Sequence, residues 1–213
     1  MMRPKIISIE GNIGAGKTTI LNQIEALLEK SGNHKIVVLK EPVDVWSTIV
    51  DKDNQTILQK FYENPTKYSF PFQILTFNTR LFQIKKTIEK YPECEIILCE
   101  RSLEADLNIF AKMLYEDDLI DDISYQIYLK VYNETVMGYN VDQIFYLNID
   151  PNICLYRIKQ RDREGEDNIQ LEYLDKCKKY HDEWLCKKDL PYEVVNTSEP
   201  FIIYNYFLEQ VKK

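Results

Sequence analysis

Residues 9–19 read IEGNIGAGKTT. The chain has only six glycines, yet Gly11, Gly14 and Gly16 crowd into six positions directly ahead of Lys17 and Thr18. A loop built this way gives up stability, because glycine loses more conformational freedom on folding than any other residue. What it gains is bare backbone. Successive N–H groups can converge on an anion, and the helix that starts there points its positive end at the same place. Gly-x4-Gly-Lys-Thr is the spacing of the phosphate-binding loop, in which Lys17 is expected at the β- and γ-phosphates and the Thr18 hydroxyl at Mg²⁺. Gly11, Asn12, Ile13, Gly14, Ala15, Gly16, Lys17, Thr18 and Thr19 are therefore the candidate nucleotide-binding residues. The bland alternative, a glycine-rich turn, loses ground because a strand-like run precedes the loop and a helical pattern follows it.

That pattern extends outward. Lys5–Glu10 is a short β-rich run, and Ile20, Ile24, Leu27 and Leu28 recur at helical spacing over 17–31, ending at Gly32–Asn33. Further strands are expected over 35–40, 95–99, 142–149 and 192–195. Helices are expected at a short stretch N-capped by Asp44, at 55–62, at a long amphipathic 66–91, and at 103–116, 121–137, 152–159, 170–187 and 200–212. A charged turn fills 161–168. Strands alternating with helices imply a parallel sheet wrapped on both faces. With 213 residues, no repeat and no linker, a single domain over 1–213 is the economical expectation.

Bulk properties narrow the function. A net charge of −7 argues against a nucleic-acid surface, which needs a basic face. The apolar runs are too short to cross a bilayer, and the first residues enter a strand at once. Five cysteines without a metal-ligand spacing point to reduced thiols, and with the rest to a cytoplasmic protein.

The arginines carry more information. Of 27 basic residues only six are Arg: Arg3, Arg80, Arg101, Arg157, Arg161 and Arg163. A chain that uses Lys for ordinary positive charge is expected to keep Arg for its planar fork, which grips phosphates and carboxylates at two points. In a doubly wound sheet, ligands lie at the carboxyl ends of the strands. Glu41 follows the second expected strand and Glu100-Arg101 the third, so a carboxylate there can take a proton from an attacking hydroxyl or help hold Mg²⁺.

Taken together, Gly11–Thr19, Glu41-Pro42-Val43 with Trp46, Tyr62, Phe72-Gln73, Arg80, Glu100-Arg101-Ser102 and Arg157 with Arg161-Asp162-Arg163 resemble the deoxynucleoside kinases of the deoxycytidine/deoxyguanosine kinase type, over about residues 5–200. The resemblance implies a three-layer α/β P-loop kinase fold with a five-stranded parallel sheet. It implies ATP and Mg²⁺, a deoxynucleoside acceptor, and a homodimer formed through long helices. Glu41 would be the base for the 5′-hydroxyl, Arg101 would steady Glu41 and the transferring phosphoryl group, and Glu100 would join Thr18 at Mg²⁺. Gln73 would read the base edge between Trp46, Phe72 and Phe110, with Val43, Leu58 and Thr76 trimming the pocket. Tyr62 and Glu166 would hold the sugar, and Arg157, Arg161 and Arg163 would belong to a lid over about 161–168. The donor base would lie near Arg157 and 199–201. Two departures stand out: Gly14 replaces the Ala often found in such kinases, a harmless exchange in a loop, and Gly165 interrupts an acidic pair.

Independent spacing supports the pocket. Gln73 and Arg80 are two turns apart on one helix face, and Asp106 and Phe110 are four apart. Members of the family that prefer thymidine resemble one another in having apolar or small residues at the positions of Arg80 and Asp106. A buried Arg–Asp pair suits cytosine or a purine and leaves the thymine methyl against charge. Preference for deoxycytidine and purine deoxynucleosides over thymidine is therefore expected. A nucleoside monophosphate kinase of the thymidylate type would need an extra positive clamp, and Glu41 would repel its acceptor phosphate. A non-catalytic nucleotide-binding subunit should have lost Lys17, Glu41 or the lid arginines, and all are present.

Overall fold

The computed structural model describes residues 3–163, 165–166, 168–187 and 191–194, together with Asn205 and Glu209. Apart from those two positions, the expected helix over 200–212 lies outside the described residues, as does the 199–201 segment expected near the donor base.

Five strands form one parallel sheet: β1 (Lys5–Gly11), β2 (Ile36–Leu39), β3 (Ile96–Glu100), β4 (Gln143–Leu147) and β5 (Tyr192–Val194), in the order β2-β3-β1-β4-β5. Central β1 pairs Ile9 with Glu100 of β3 on one side and with Phe145 of β4 on the other. Its side chains alternate between two packed layers. Ile7 and Ile9, with Leu98 and Leu147, pack against Ile20, Leu21, Ile24 and Leu28 of α1 (Lys17–Ser31) and against Cys154 and Ile158 of α8 (Pro151–Arg161). Ile6, with Ile97 and Cys99, packs against Phe77, Leu81 and Ile84 of α4 (Pro65–Lys90) and Tyr128 and Tyr132 of α7 (Asp122–Thr135). Apolar cover on both faces is what a parallel sheet requires, and the three-layer α/β expectation holds.

The remaining helices are α2 (Val43–Ser47), α3 (Ile57–Glu63), α5 (Leu103–Ala105), α6 (Lys112–Glu116) and α9 (Leu171–Cys186). Two local expectations need correction. Asp44 does not cap α2: Pro42 occupies that position without a side-chain cap, and Asp44 lies in the first turn. The stretch 103–116 is not one α-helix, because Asp106–Ala111 winds as a π-helix between α5 and α6. A π-turn inserts an extra residue into the helical ladder and is common at functional sites. Here it presents Asp106, Ile109 and Phe110 to the interior together.

Helix α3 starts in a complete capping box. Thr56 accepts from the Gln59 N–H, and the Gln59 side chain accepts from the Thr56 N–H. No helix among the described residues is long and apolar enough to cross a membrane.

Candidate active site

A cleft of about 740 Å³ opens along the carboxyl ends of the strands. Its floor at one end is the glycine loop between β1 and α1. Ile13, Gly14, Ala15, Gly16, Lys17, Thr18 and Thr19 line it. Gly11 and Asn12 lie behind this lining. Asn12 is buried, with its amide donating to Leu174 O (2.8 Å) and its Oδ1 accepting from Ile13 N (2.9 Å), so it fastens the loop to α9. Lys17 Nζ donates to Gly11 O (3.1 Å) and Asn12 O (2.8 Å). Burial, aided by the charge of Arg101, pushes its pKa down to about 8.

Gly14 is more than a harmless replacement here. Its φ is +78°, and a Cβ would sit 2.4 Å from the Cys154 carbonyl oxygen of α8. The loop and α8 approach too closely for a side chain. Arg157 of α8 adds a second tie, donating from Nη1 to Ala15 O (2.9 Å).

Opposite the loop stands a buried charge network. Glu41, just after β2, accepts from Arg101 Nε (2.9 Å) and Arg80 Nη2 (3.4 Å) at Oε1. Burial would raise its pKa, but Arg101, Arg80 and Lys17 outweigh that and draw it down to about 2. Arg80 in turn donates from Nε to Asp106 Oδ2 (2.9 Å), from Nη2 to Asp106 Oδ1 (3.4 Å), and from Nη1 to Glu100 O. Burial raises the pKa of Asp106, and Arg80 opposes the rise. Arg101 lies under Phe110, its guanidinium carbon 4.7 Å from the ring centroid, and its Nη1 is buried with no partner among the described residues. Thr18 Oγ1 donates to Glu100 Oε1 (2.8 Å), bringing a hydroxyl and a carboxylate together beside the loop. These are hard oxygen donors of the kind Mg²⁺ takes in small number, the rest of its shell coming from water and phosphate. No larger cluster of metal-binding side chains occurs among the described residues.

The far end of the cleft is aromatic. Trp46 meets Phe72 edge-on (5.5 Å), and Phe61 stacks on Phe72 (4.9 Å). Trp46 Nε1 donates to Thr79 Oγ1 (3.0 Å), which fixes the indole. Leu58, Tyr62, Gln73, Thr76 and Phe110 complete this wall. Gln73 is 3% exposed and its Oε1 has no partner among the described residues. Thr76 Oγ1 donates to Gln73 O (3.0 Å). Val43 is the expected pocket residue that does not reach the cavity. It sits at the first turn of α2 and packs with the cluster of Trp46, Leu58 and Phe61 behind the wall.

Between the two ends, Glu166 is 5% exposed and accepts from Arg161 Nη2 and from Arg163 Nη1 (3.2 Å). Gly165 makes this possible. Its φ is +90°, and a Cβ would lie 3.0–3.2 Å from the side chain and backbone of Gln59, so the turn rests directly on α3. Sequence reasoning missed Phe61 and Tyr173, which also line the cleft, and Thr79 behind it. Phe61 had one available signal, its place three residues after Leu58 on the same helix face.

A glycine loop at the head of α1, a lysine inside it and a facing set of buried carboxylates and arginines define a P-loop phosphotransferase. Residues 7–211 match the deoxynucleoside kinase family, and the chain belongs to that family. It is 34% identical to human deoxycytidine kinase over 207 residues, covering 88% of this chain and 78% of the relative. It is 30% identical to chicken deoxycytidine kinase 2 (99% and 90% covered) and 28% identical to the mitochondrial deoxyguanosine kinase of Xenopus laevis (94% and 84%). It is an enzyme that phosphorylates deoxynucleosides from a nucleotide donor.

Proposed function

We propose that the chain moves the γ-phosphoryl group of ATP to the 5′-hydroxyl of deoxycytidine or a purine deoxynucleoside, in preference to thymidine. The reading is carried by Glu41, which sits where the glycine loop meets the aromatic pocket, held by Arg101 and Arg80. The 5′-oxygen forms a bond to the γ-phosphorus as the bond to the ADP oxygen breaks, and the hydroxyl proton passes to Glu41. A carboxylate with a pKa near 2 is a weak base. It takes the proton late, once bond formation has made the hydroxyl acidic, as a loose transition state allows. Arg101 Nη1, buried and without a partner among the described residues, would supply a donor to the transferring oxygens.

Thr18 and Glu100 would hold Mg²⁺, which supplies charge neutralisation at the donor phosphates. Arg157, Arg161 and Arg163 would close over those phosphates as a lid around 161–168. Gln73, with its open acceptor, would read the base edge, while Arg80 and Asp106 set the preference at its far side. Tyr62, whose hydroxyl burial keeps protonated, and Glu166 would take the 3′-hydroxyl. The chain would act as one domain and as a homodimer. Both α4 and α7 leave large apolar side chains exposed, Phe82 at 64% and Ile123 at 70%. Its five free thiols fit a reducing cytoplasm.

ADP release measured with each deoxynucleoside, ribonucleoside and nucleoside monophosphate tests the activity. Turnover is expected with deoxycytidine and purine deoxynucleosides. Turnover confined to monophosphates, or fastest with thymidine, would overturn the reading. Light scattering after size exclusion tests the dimer.

A further inference from the structure

Glu10 is the penultimate residue of β1, fully buried, and has no part in the chemistry above. Its Oε1 accepts from Ser102 Oγ (2.7 Å); its Oε2 makes no close hydrogen bond among the described residues, with the Ser8 hydroxyl as a more distant neighbour. A buried carboxyl group that is half satisfied is expensive, and an apolar residue would pack there at less cost. The interest lies in what it holds. Ser102 follows Arg101, whose φ of +66° places a bulky side chain in the left-handed region. Such strain persists only where neighbours over-determine it.

Two ties to β1 bracket that residue. Arg101 N donates to Ile9 O (3.1 Å), and Ser102 Oγ donates to Glu10. Ser102 Oγ also accepts from Ala105 N (3.1 Å) as the cap of α5, so its hydroxyl hydrogen is free to point at Glu10. The strained turn delivers Arg101 Nε to Glu41 and leaves Nη1 buried without a partner among the described residues. We infer that Glu10 is a positioning residue for phosphoryl transfer, clamping the Arg101 turn through Ser102 so that the guanidinium meets Glu41 in one orientation.

The inference rests on the role proposed for Arg101. Burial raises the pKa of Glu10, with Arg101 the foremost charge opposing the rise, which agrees with a carboxyl group lying close to that side chain. A merely structural Glu10 would affect melting and leave the surviving folded enzyme kinetically normal. A positioning Glu10 affects kcat.

The test is steady-state kinetics with ATP and deoxycytidine on Glu10→Gln, Glu10→Ala, Ser102→Ala and Arg101→Lys, with melting curves for each. Glu10→Ala and Ser102→Ala are expected to lower kcat at least about tenfold with both KM values within about twofold, the pattern of a contact that matters only in the transition state. Glu10→Gln keeps an acceptor for Ser102 and should restore most of the turnover lost in Glu10→Ala. Folded Glu10→Ala with normal kcat would overturn the inference, as would a rise in KM for ATP that matches the fall in kcat. Equal loss in Glu10→Gln and Glu10→Ala would also overturn it, since charge and not positioning would then be at work. Should Glu10→Ala fail to fold, Ser102→Ala decides by the same criteria. Full activity in Arg101→Lys would instead sink the role of Arg101 itself.

Discussion

Lys17 offers a prediction that turns on the burial of one ammonium group. In the free protein its ammonium is buried against two carbonyl oxygens and near Arg101, and its pKa falls to about 8. A bound triphosphate places several negative charges beside it and should return that pKa above its ordinary range. At pH 8.5 the free lysine is roughly one-quarter charged, so binding should take up roughly three-quarters of a proton; at pH 7 the uptake should be roughly 0.1. Calorimetry of a non-hydrolysable ATP analogue with Mg²⁺, in buffers of different ionisation enthalpy, reads this number directly. Affinity should weaken as pH rises through 8. The same shift has the opposite sense for the free protein: the unfolded chain holds the lysine proton up to about 10.5, so this group makes stability rise with pH between about 8 and 10.5. Lys17→Arg, which does not titrate, should bind without the uptake. Equal proton uptake at pH 7 and 8.5 in the unmodified protein would refute the buried-lysine geometry.

Glu41→Gln should lower kcat by ~10²–10⁴-fold with the circular dichroism spectrum unchanged; full turnover would show that another group accepts the proton. Because the Glu41 pKa is depressed, the stability it contributes is full above about 4.5 and is lost as pH falls toward 2, so acid unfolding of Glu41→Gln should be shallower. Arg80→Met combined with Asp106→Ala should raise the thymidine-to-deoxycytidine ratio of kcat/KM about ten- to a hundred-fold, the equivalent of relieving ~1–3 kcal/mol of unsatisfied polar burial; an unchanged ratio rejects that pair as the selector. Gly14→Ala should destabilise by about 2–4 kcal/mol, combining left-handed strain with a clash against the Cys154 carbonyl. A melting temperature equal to that of the unmodified protein would show that α8 is not so close.

Much of this was legible in the residues because the signals are local. The glycine loop, the helix it starts and the alternation of strand and helix follow from spacing alone, and the order of arginines anticipated where forks were needed. The sixth arginine, Arg3, supports the same logic: it grips both oxygens of Asp142 at 2.7 and 2.8 Å. What was not legible depends on approach between distant segments. The requirement for glycine at position 14 comes from α8, more than a hundred residues away. That Gly165 seats a turn on Gln59 could not be read from an interrupted acidic pair. The π-turn at 106–111 leaves no compositional mark, since the same residues would serve an α-helix. Val43 and Asn12 sit inside motifs that point at the cleft, but their side chains are taken up by packing and by a tie to α9.

The network around Glu41 also explains why a neutral acceptor suits this cleft. Lys17, Arg80 and Arg101 are buried among Glu10, Glu41, Glu100 and Asp106, so the positive charge is already balanced before any ligand arrives. Arg80 is committed on three sides, to Asp106, Glu41 and the Glu100 carbonyl. A nucleoside hydroxyl can enter without disturbing this balance. An acceptor already bearing a phosphate would bring two negative charges to the Glu41 carboxylate. At 4 Å each unit pair of like charges costs about 4 kcal/mol at the effective dielectric of a protein surface. Recruiting Arg80 to offset it would strip Asp106 of its partner and leave a buried carboxylate exposed to the same field. Selection for unphosphorylated nucleosides thus follows from how the arginines are spent on their own carboxylates, and deoxycytidine monophosphate should neither react nor compete with deoxycytidine at the concentrations where the nucleoside saturates.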